Sequence, residues 1–410
     1  MGITGFVLLS VLVFTGTILL MVILVSVSEK YLVQTGDVQL LINDDPEKSP
    51  QVSTGQTLLS ALSSQKIFIP SACGGGGTCA MCRCQVLEGG GDVLPTETGH
   101  LTRPQQKEHW RLACQVKVRK AMKIKVPDEI FSIKKYDCTV RSNDNVATFI
   151  KELVLEIGGG ESIDFQSGGY IQIEIPAYGP LKFTEFDVEQ QYRGDWDKFK
   201  VWDYVAKSDE PVIRAYSMAN HPAEGNIVML NVRIATPPPR TTGIPPGIAS
   251  SWIFNLKAGD KVTVSGPYGE FFIKDTDREM MYVGGGAGMA PMRSHILHLF
   301  RTLKTKRKVS FWYGARSLRE MFYDDDFRQI ANDFPNFSYN VGLSEPLPED
   351  NWTGPKGFIH QVVYEHYLKD HADPTEIEYY MCGPPLMNSA VNKMLYDLGV
   401  EKDMIAYDEF

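Results

Sequence analysis

Three cysteines fall within ten residues in Cys73-Gly-Gly-Gly-Gly-Thr-Cys79-Ala-Met-Cys82, and a fourth, Cys114, follows thirty-two residues after the third. No other stretch constrains the fold as much, because a loop this rich in glycine can wrap several thiolates around one inorganic centre. Zinc sites favour two compact cysteine pairs closing a tetrahedron. Three neighbouring thiolates and one distant one suit a [2Fe–2S] rhomb better, with disulfides as a third possibility. The cluster reading also explains the run Gly74 to Gly77, whose residues lack Cβ atoms. They can take positive φ and turn N–H groups toward the sulfurs, stabilising the charge added on reduction. Cys73, Cys79, Cys82 and Cys114 are then the metal ligands. Cys84 is expected to be a small buried side chain on the next strand rather than a ligand.

A chain of 410 residues has room for two to four domains with their own cores. The net charge of −9 argues against nucleic acid as a partner, since phosphate binding needs a basic stripe. The one basic run, Lys304 to Lys308, reads as a solvated face. Seven cysteines, four of them in the cluster pattern, fit a reducing compartment. From Gly2 to Ser28 no residue is charged and most are apolar, which exceeds the roughly 20 residues that cross a bilayer. With no basic residue ahead of it, the segment reads as one transmembrane helix rather than a cleaved signal peptide. Positive charge on its C-terminal side favours a cytoplasmic body, and a span without ionisable groups offers no ion path of its own.

Beyond the span, Val38 to Ile42 alternates like a strand, Leu58 to Leu62 has helical spacing, and Ile67 to Ile69 is expected as a second strand leading into the cysteine loop. Gln85 to Leu87 runs into a glycine turn, and Val116 to Val118 is expected as a strand directly after Cys114. From residue 130 the pattern becomes six short apolar segments, at 136–141, 151–157, 170–175, 213–218, 227–234 and 261–265, the mark of a closed antiparallel barrel. Residues 179–210 look like an insertion into it, and Cys138 is expected in its core. From Met280 onward, strand, glycine turn, helix and strand mark a parallel α/β domain.

Two sets of motifs bear on chemistry. Arg214-Ala-Tyr216-Ser217 closes a barrel strand and offers a flavin a cation for its pyrophosphate, an aromatic face for its ring and a hydroxyl near its reactive nitrogen. Gly247-Ile248-Ala249-Ser250 opens a helix, so its N–H groups and dipole suit the same pyrophosphate. Gly285-Gly286-Ala287-Gly288 lies between a strand and a helix, the context of a dinucleotide site. Tyr313-Gly-Ala-Arg316 and Cys382-Gly383-Pro384-Pro385 follow two further strands and converge on the same crevice. Cys382 is a candidate for the nicotinamide contact, with a buried structural thiol as the other reading.

Barrel and nicotinamide domain together resemble the ferredoxin–NADP reductase superfamily, here with a ferredoxin fused ahead. The spacing Cys73-x5-Cys79-x2-Cys82 resembles that of adrenodoxin-like and reductase-linked ferredoxins. With the apolar helix in front and Phe410 at the end, the chain is similar to the F subunits of bacterial sodium-translocating NADH:quinone oxidoreductases. The resemblance implies a multidomain α+β and α/β chain. Its parts are a transmembrane helix (2–28), a β-grasp [2Fe–2S] ferredoxin domain (34–129), an antiparallel β-barrel FAD domain (130–274) and a Rossmann-like NADH domain (275–410). It implies FAD on Arg214, Tyr216, Ser217 and Ser250, NADH at Gly285 to Gly288 and the Cys382 turn, and Phe410 covering the flavin ring. It further implies partner membrane subunits, quinone as the final acceptor through them, and the bacterial inner membrane with the soluble domains facing the cytoplasm. Two rival readings are the reductase component of a bacterial multicomponent oxygenase and a non-enzymatic carrier. NADH rather than NADPH rests on the resemblance, since Arg316 could meet a 2′-phosphate.

Overall fold

The computed structural model describes residues 11–24, 36–71, 73–238, 241 and 243–408. Residues 11–24 are helical with exposed side chains, while the remainder of the 2–28 span lies outside the described residues. Among the described residues no helix is long and apolar enough to cross a membrane. The chain divides into two compact units, Met1–Ser132 and Ile133–Phe410.

In the first unit, β1 (Asp37–Ile42), β2 (Gln51–Ser53), α1 (Leu58–Ser64), β3 (Arg83–Glu88), β4 (Trp110–Leu112) and β5 (Met122–Lys125) give a five-stranded sheet of order β2-β1-β5-β3-β4. β1 runs parallel to β5 and antiparallel to β2. The sheet is mixed, with α1 as the longest helix beside it and two short helices, Pro95–Thr98 and Arg103–Lys107, between β3 and β4, as in a β-grasp. Thr57 caps α1 by accepting from the Ser60 N–H, and Leu58, Ala61 and Leu62 bury its inner face at helical spacing. Two expected strands are absent. Ile67 to Ile69 forms no ladder: Phe68 and Ile69 are buried, but the sheet position belongs to β2. Val116 to Val118 holds only an isolated bridge between Lys117 and Thr57, and the ladder strand comes later, as β5. In both stretches apolar side chains are buried without backbone pairing, which periodicity cannot distinguish from a strand.

The second unit begins with β6 (Lys134–Ala147), β7 (Ile150–Ile157), β8 (Tyr170–Ile175), β9 (Tyr178–Lys182), α2 (Gln190–Lys198), β10 (Val205–Ser208), β11 (Val212–Ser217), β12 (Ile227–Arg233), α3 (Ile248–Asn255) and β13 (Lys261–Tyr268). All six expected barrel strands are present, in the order β11-β8-β13-β6-β7-β12. A bridge between Met218, just past β11, and Leu230 on β12 closes the sheet on itself. Val228, Leu230 and Val232 alternate inward and are fully buried. Cys138 is buried in this core as expected. The 179–210 insertion is the β9–β10 hairpin carrying α2. Trp196 of α2 is completely buried and donates its indole N–H to the Thr148 carbonyl, so the insertion is bolted onto the barrel wall.

Next come β14 (Met280–Gly285), α4 (Met289–Leu297), β15 (Val309–Ala315), α5 (Asp324–Asp333), β16 (Phe337–Leu343), α6 (Ile359–His366), β17 (Glu378–Cys382), α7 (Pro385–Asp397) and β18 (Ile405–Asp408). They form a parallel sheet of order β16-β15-β14-β17-β18. The order reverses at β14, which puts a crevice at its C-terminal end. Every residue of α4 is buried, including three consecutive polar ones. Arg293 donates to the Ala219 carbonyl, Ser294 to the Asn220 carbonyl, and His295 Nε2 lies 3.1 Å from the Ser167 carbonyl. Burial brings His295 down to about 4, so it is neutral at physiological pH and suited to donate to that carbonyl. These bonds join the glycine-turn helix to the barrel.

Arg293 also forks onto Glu224, at 2.8 and 2.7 Å. Burial raises the Glu224 carboxyl, but bonds from His221 and Arg293 outweigh it and hold the group at about 2, below its ordinary 4.5. A carboxylate with a depressed folded pKa contributes stability that is complete above about 4.5 and lost as pH falls toward 2. The gap corresponds to ~3 kcal/mol. Denaturant unfolding of the wild type and Glu224→Gln as a function of pH is expected to converge as pH drops through this window; parallel curves would refute the assignment.

Candidate functional site

The cysteine loop lies between α1 and β3. Its backbone is held by Ser71, whose hydroxyl accepts the Gly75 N–H at 3.0 Å. Gly75 and Gly77 have φ of +95° and +76°, a region closed to most side chains. The Cys73 and Cys79 sulfurs lie 3.4 Å apart, and Cys82 is hydrogen-bonded to Cys114. The four thiols therefore stand as two pairs. Among the described residues no group of three or more metal-ligating side chains surrounds a single ion position. Two pairs are what a two-iron rhomb needs, since each iron takes two thiolates, so the residues fit a [2Fe–2S] cluster.

Electrostatics favour one thiolate in each pair, Cys73 and Cys114, while burial pushes Cys79 up and the bond to Cys114, then burial, pushes Cys82 up. Burial pushes Cys73 up, but N–H groups of Cys79, Thr78 and Gly75 outweigh it and bring the thiol down to about 6. Cys114 is likewise lowered to about 6, chiefly by the bond from Cys82. Cys84 is fully buried on β3, opposite Arg111 in the β3–β4 ladder, as expected of a core side chain.

The turn that presents Cys114 is anchored from three sides. The Ala113 N–H donates to the Cys82 carbonyl, and the Ala113 and Val116 carbonyls accept the first N–H groups of α1. Sequence reasoning missed the third anchor, the buried pair of Arg111 and Glu97. Their closest approach is 2.7 Å, with side chains 4% and 0% exposed. Glu97 also accepts the Leu112 N–H, while Arg111 donates to the Gly90 and Gly91 carbonyls. Removing one partner leaves an unpaired buried charge. Glu97→Ala is expected to cost about 3–5 kcal/mol and lower the unfolding midpoint of the cluster unit, as read by calorimetry. Glu97→Ala combined with Arg111→Met should recover much of the loss.

In the second unit, Arg214 and Tyr216 share one face of β11, and the antiparallel bridge from Met218 to Leu230 directs Arg214 toward the end of β12 that runs on to Ala235. That is where the turn of α3 is tied: the Gly247 N–H donates to the Ala235 carbonyl, and Ser250 Oγ accepts the Ala235 N–H. A Cβ on Gly247 would come within 2.8 Å of Ser250 Oγ. Ile248, Ala249 and Ser250 sit in the first turn of α3, where N–H groups lack intrahelical acceptors. Such a turn fits a pyrophosphate.

Ser217 donates to Asp408 Oδ2 at 2.6 Å, and Asp408 is the ladder partner of Cys382. Asp408 thus joins the two residues expected to face flavin and nicotinamide, and sequence reasoning did not single it out. Its only signal was an acid just ahead of the terminal aromatic. Phe410 itself lies outside the described residues. Cys382 is fully buried, and burial, then Asp408, pushes its thiol well up. Gly285, Gly288, Gly383 and Pro384 meet at the crevice. A Cβ on Gly288 would fall 2.1 Å from the Cys382 carbonyl oxygen, and one on Gly285 would fall 3.5 Å from Pro384 Cδ. Gly286 has φ +57°, its N–H is taken up by Tyr313, and Ala287 lies beside it in the same turn. Tyr313 is fully buried beneath the turn. Arg316 is paired with Glu320 at 2.8 Å and with Asp195 of the insertion at 3.2 Å.

Three family models match: 2Fe-2S iron-sulfur cluster binding domain over residues 42–119, oxidoreductase FAD-binding domain over 201–273, and oxidoreductase NAD-binding domain over 282–393. The F subunit of the Na(+)-translocating NADH-quinone reductase of Actinobacillus succinogenes is 57% identical over 397 residues, covering 97% of each chain. That of Pseudomonas aeruginosa is 57% identical over 402 residues, 98% of each. Among solved structures, an Amycolatopsis cytochrome P450 reductase shares the fold with a TM-score of 0.64 at 22% identity, covering 91% of this chain and 98% of its own. The ferredoxin reductase in carbazole 1,9a-dioxygenase aligns with a TM-score of 0.60 at 25% identity, covering 92% and 99%.

Proposed function

The chain belongs to the family of F subunits of Na(+)-translocating NADH-quinone reductases, and from that premise we propose that it is the electron-input component of such a complex, oxidising NADH and passing electrons through FAD and a [2Fe–2S] cluster to partner subunits. The relatives match along nearly its full length at 57% identity, which favours this reading over an oxygenase reductase component sharing the same modules. The observation that carries the chemistry is the contact of Ser217 with Asp408, which couples the flavin strand to the last strand of the nicotinamide sheet.

When bound, FAD would supply the means of taking a hydride from NADH and releasing single electrons, which a [2Fe–2S] cluster would accept one at a time. The chain's own residues do the positioning. Arg214 and the first turn of α3 would hold the flavin pyrophosphate, and Tyr216 would lie against the ring. Ser217 would face the reactive nitrogen, with its hydroxyl oriented by Asp408. Gly285 to Gly288 with Gly383 and Pro384 would admit the dinucleotide backbone, Cys382 would face the nicotinamide, and Phe410 would cover the flavin. Tyr313 supports the glycine turn through Gly286. With Glu320 and Asp195 already on Arg316, a 2′-phosphate would meet two carboxylates, which supports NADH. Cys73, Cys79, Cys82 and Cys114 would hold the cluster. The Gly2 to Ser28 stretch would anchor the chain in the bacterial inner membrane with the soluble units on the cytoplasmic side and quinone reached through partners. The domain limits would be those of the 34–129, 130–274 and 275–410 segments.

Anaerobic stopped-flow absorbance with NADH and with NADPH tests this. Rapid flavin bleaching by NADH followed by cluster reduction is expected; preferential bleaching by NADPH would overturn the cofactor assignment.

A further inference from the structure

Gln115, the residue after the fourth cluster cysteine, reaches back with its side-chain amide nitrogen to 3.5 Å from the Cys114 Sγ. Its backbone is fixed, since its N–H donates to the Leu112 carbonyl at 2.8 Å in the turn that presents Cys114. Its side chain is seated against the cysteine loop at Gly77, where a Cβ would come 2.6 Å from the amide nitrogen. Glycine at position 77 is therefore what lets this amide lie over the sulfur, and the Gly77 N–H itself is bonded to Cys114.

We propose that Gln115 tunes the reduction potential of the cluster by donating a side-chain hydrogen bond to the Cys114 thiolate. The inference rests on reading the four cysteines as [2Fe–2S] ligands. Reduction adds one electron from the reduced flavin and turns one ferric iron ferrous; no bond to the chain breaks and no proton is required. The added negative charge is shared with the thiolate sulfurs, so a donor aimed at one of them stabilises the reduced state more than the oxidised one. Most donors in such a loop are backbone groups that substitution cannot remove. Gln115 is a side chain, so its contribution can be deleted with the backbone left in place. It is a positioning residue that touches a ligand, not a ligand itself.

The test is an EPR-monitored redox titration of the full chain with its cofactors, comparing the wild type with Q115L and Q115E. Q115L should make reduction about tenfold less favourable, a midpoint about 59 mV lower for one electron. Q115E, isosteric but lacking the donor and carrying negative charge, should shift the midpoint further in the same direction. Midpoints of both variants within about twofold of the wild-type equilibrium, at full signal intensity, would overturn the proposal. If either variant loses its cluster, pulsed EPR of reduced wild type with the glutamine amide labelled with ¹⁵N decides instead: a resolved coupling supports the bond and its absence refutes it. A wild type with no reducible two-iron signal would overturn the cysteine assignment, and this inference with it.

Discussion

Replacing Cys114 with alanine is expected to abolish the paramagnetic signal of the reduced cluster while flavin bleaching by NADH persists. Each iron of a rhomb needs two thiolates, and the thiols stand as Cys73 with Cys79 and Cys82 with Cys114. Losing Cys114 leaves Cys82 alone at its iron. The flavin and nicotinamide motifs belong to the separate compact unit Ile133–Phe410, so their chemistry should survive. Onward transfer to partner subunits should fall to background. Iron content, EPR and stopped-flow absorbance on the same preparation read all three effects. Cys84 supplies the internal control: it is fully buried on β3 opposite Arg111 and outside the two sulfur pairs, so Cys84→Ala should keep the signal. A signal kept in Cys114→Ala and lost in Cys84→Ala would reassign the fourth ligand.

Gly288→Ala is expected to disable NADH oxidation while leaving a cluster that dithionite still reduces. The new Cβ would sit 2.1 Å from the Cys382 oxygen, 2.3 Å from its carbonyl carbon and 2.7 Å from the Gly383 nitrogen. All three are backbone atoms at the end of β17, so no rotamer change can relieve the contact. The ends of β14 and β17 must separate where the dinucleotide enters. A displacement on the order of 1 Å at a reacting centre costs about 10²-fold in rate, so kcat/KM for NADH should fall at least that far. Gly286→Ala makes the contrast. Its nearest neighbour is Ile150 Cδ1 at 3.9 Å, so only the positive φ is strained, at roughly 1–2 kcal/mol. Equal losses in the two variants would show that space against the Cys382 turn is not what Gly288 provides.

Much of the fold was legible because the barrel strands alternate and the last five strands are apolar runs separated by glycine turns and helices. Val228, Leu230 and Val232 announce an inward face by period alone. Ile67 to Ile69 and Val116 to Val118 misled for the same reason, since both bury apolar side chains without pairing their backbones. The candidate site was drawn from contiguous motifs: the cysteine loop, Arg214 to Ser217 and the two glycine turns. It was hidden where two distant segments meet. Asp408 is 191 residues from Ser217, and Gln115 acquires meaning only from the amide's approach to the Cys114 sulfur and its seat on Gly77.

What the sequence determined by itself was the inventory: four cysteines in a spacing that suits two irons, a hydroxyl-bearing strand as the flavin candidate, a glycine turn between strand and helix, and the order of modules from cluster domain to nicotinamide domain. Local spacing suffices there, because each motif carries its backbone requirement within a few residues. Only the tertiary structure decided which groups touch: the pairing of the four sulfurs two by two, the burial of Arg111 against Glu97, the acids on Arg316, and the aspartate that links Ser217 to Cys382. Those contacts depend on chain segments brought together by burial of the core, and burial is set by the whole fold rather than by any short run of residues.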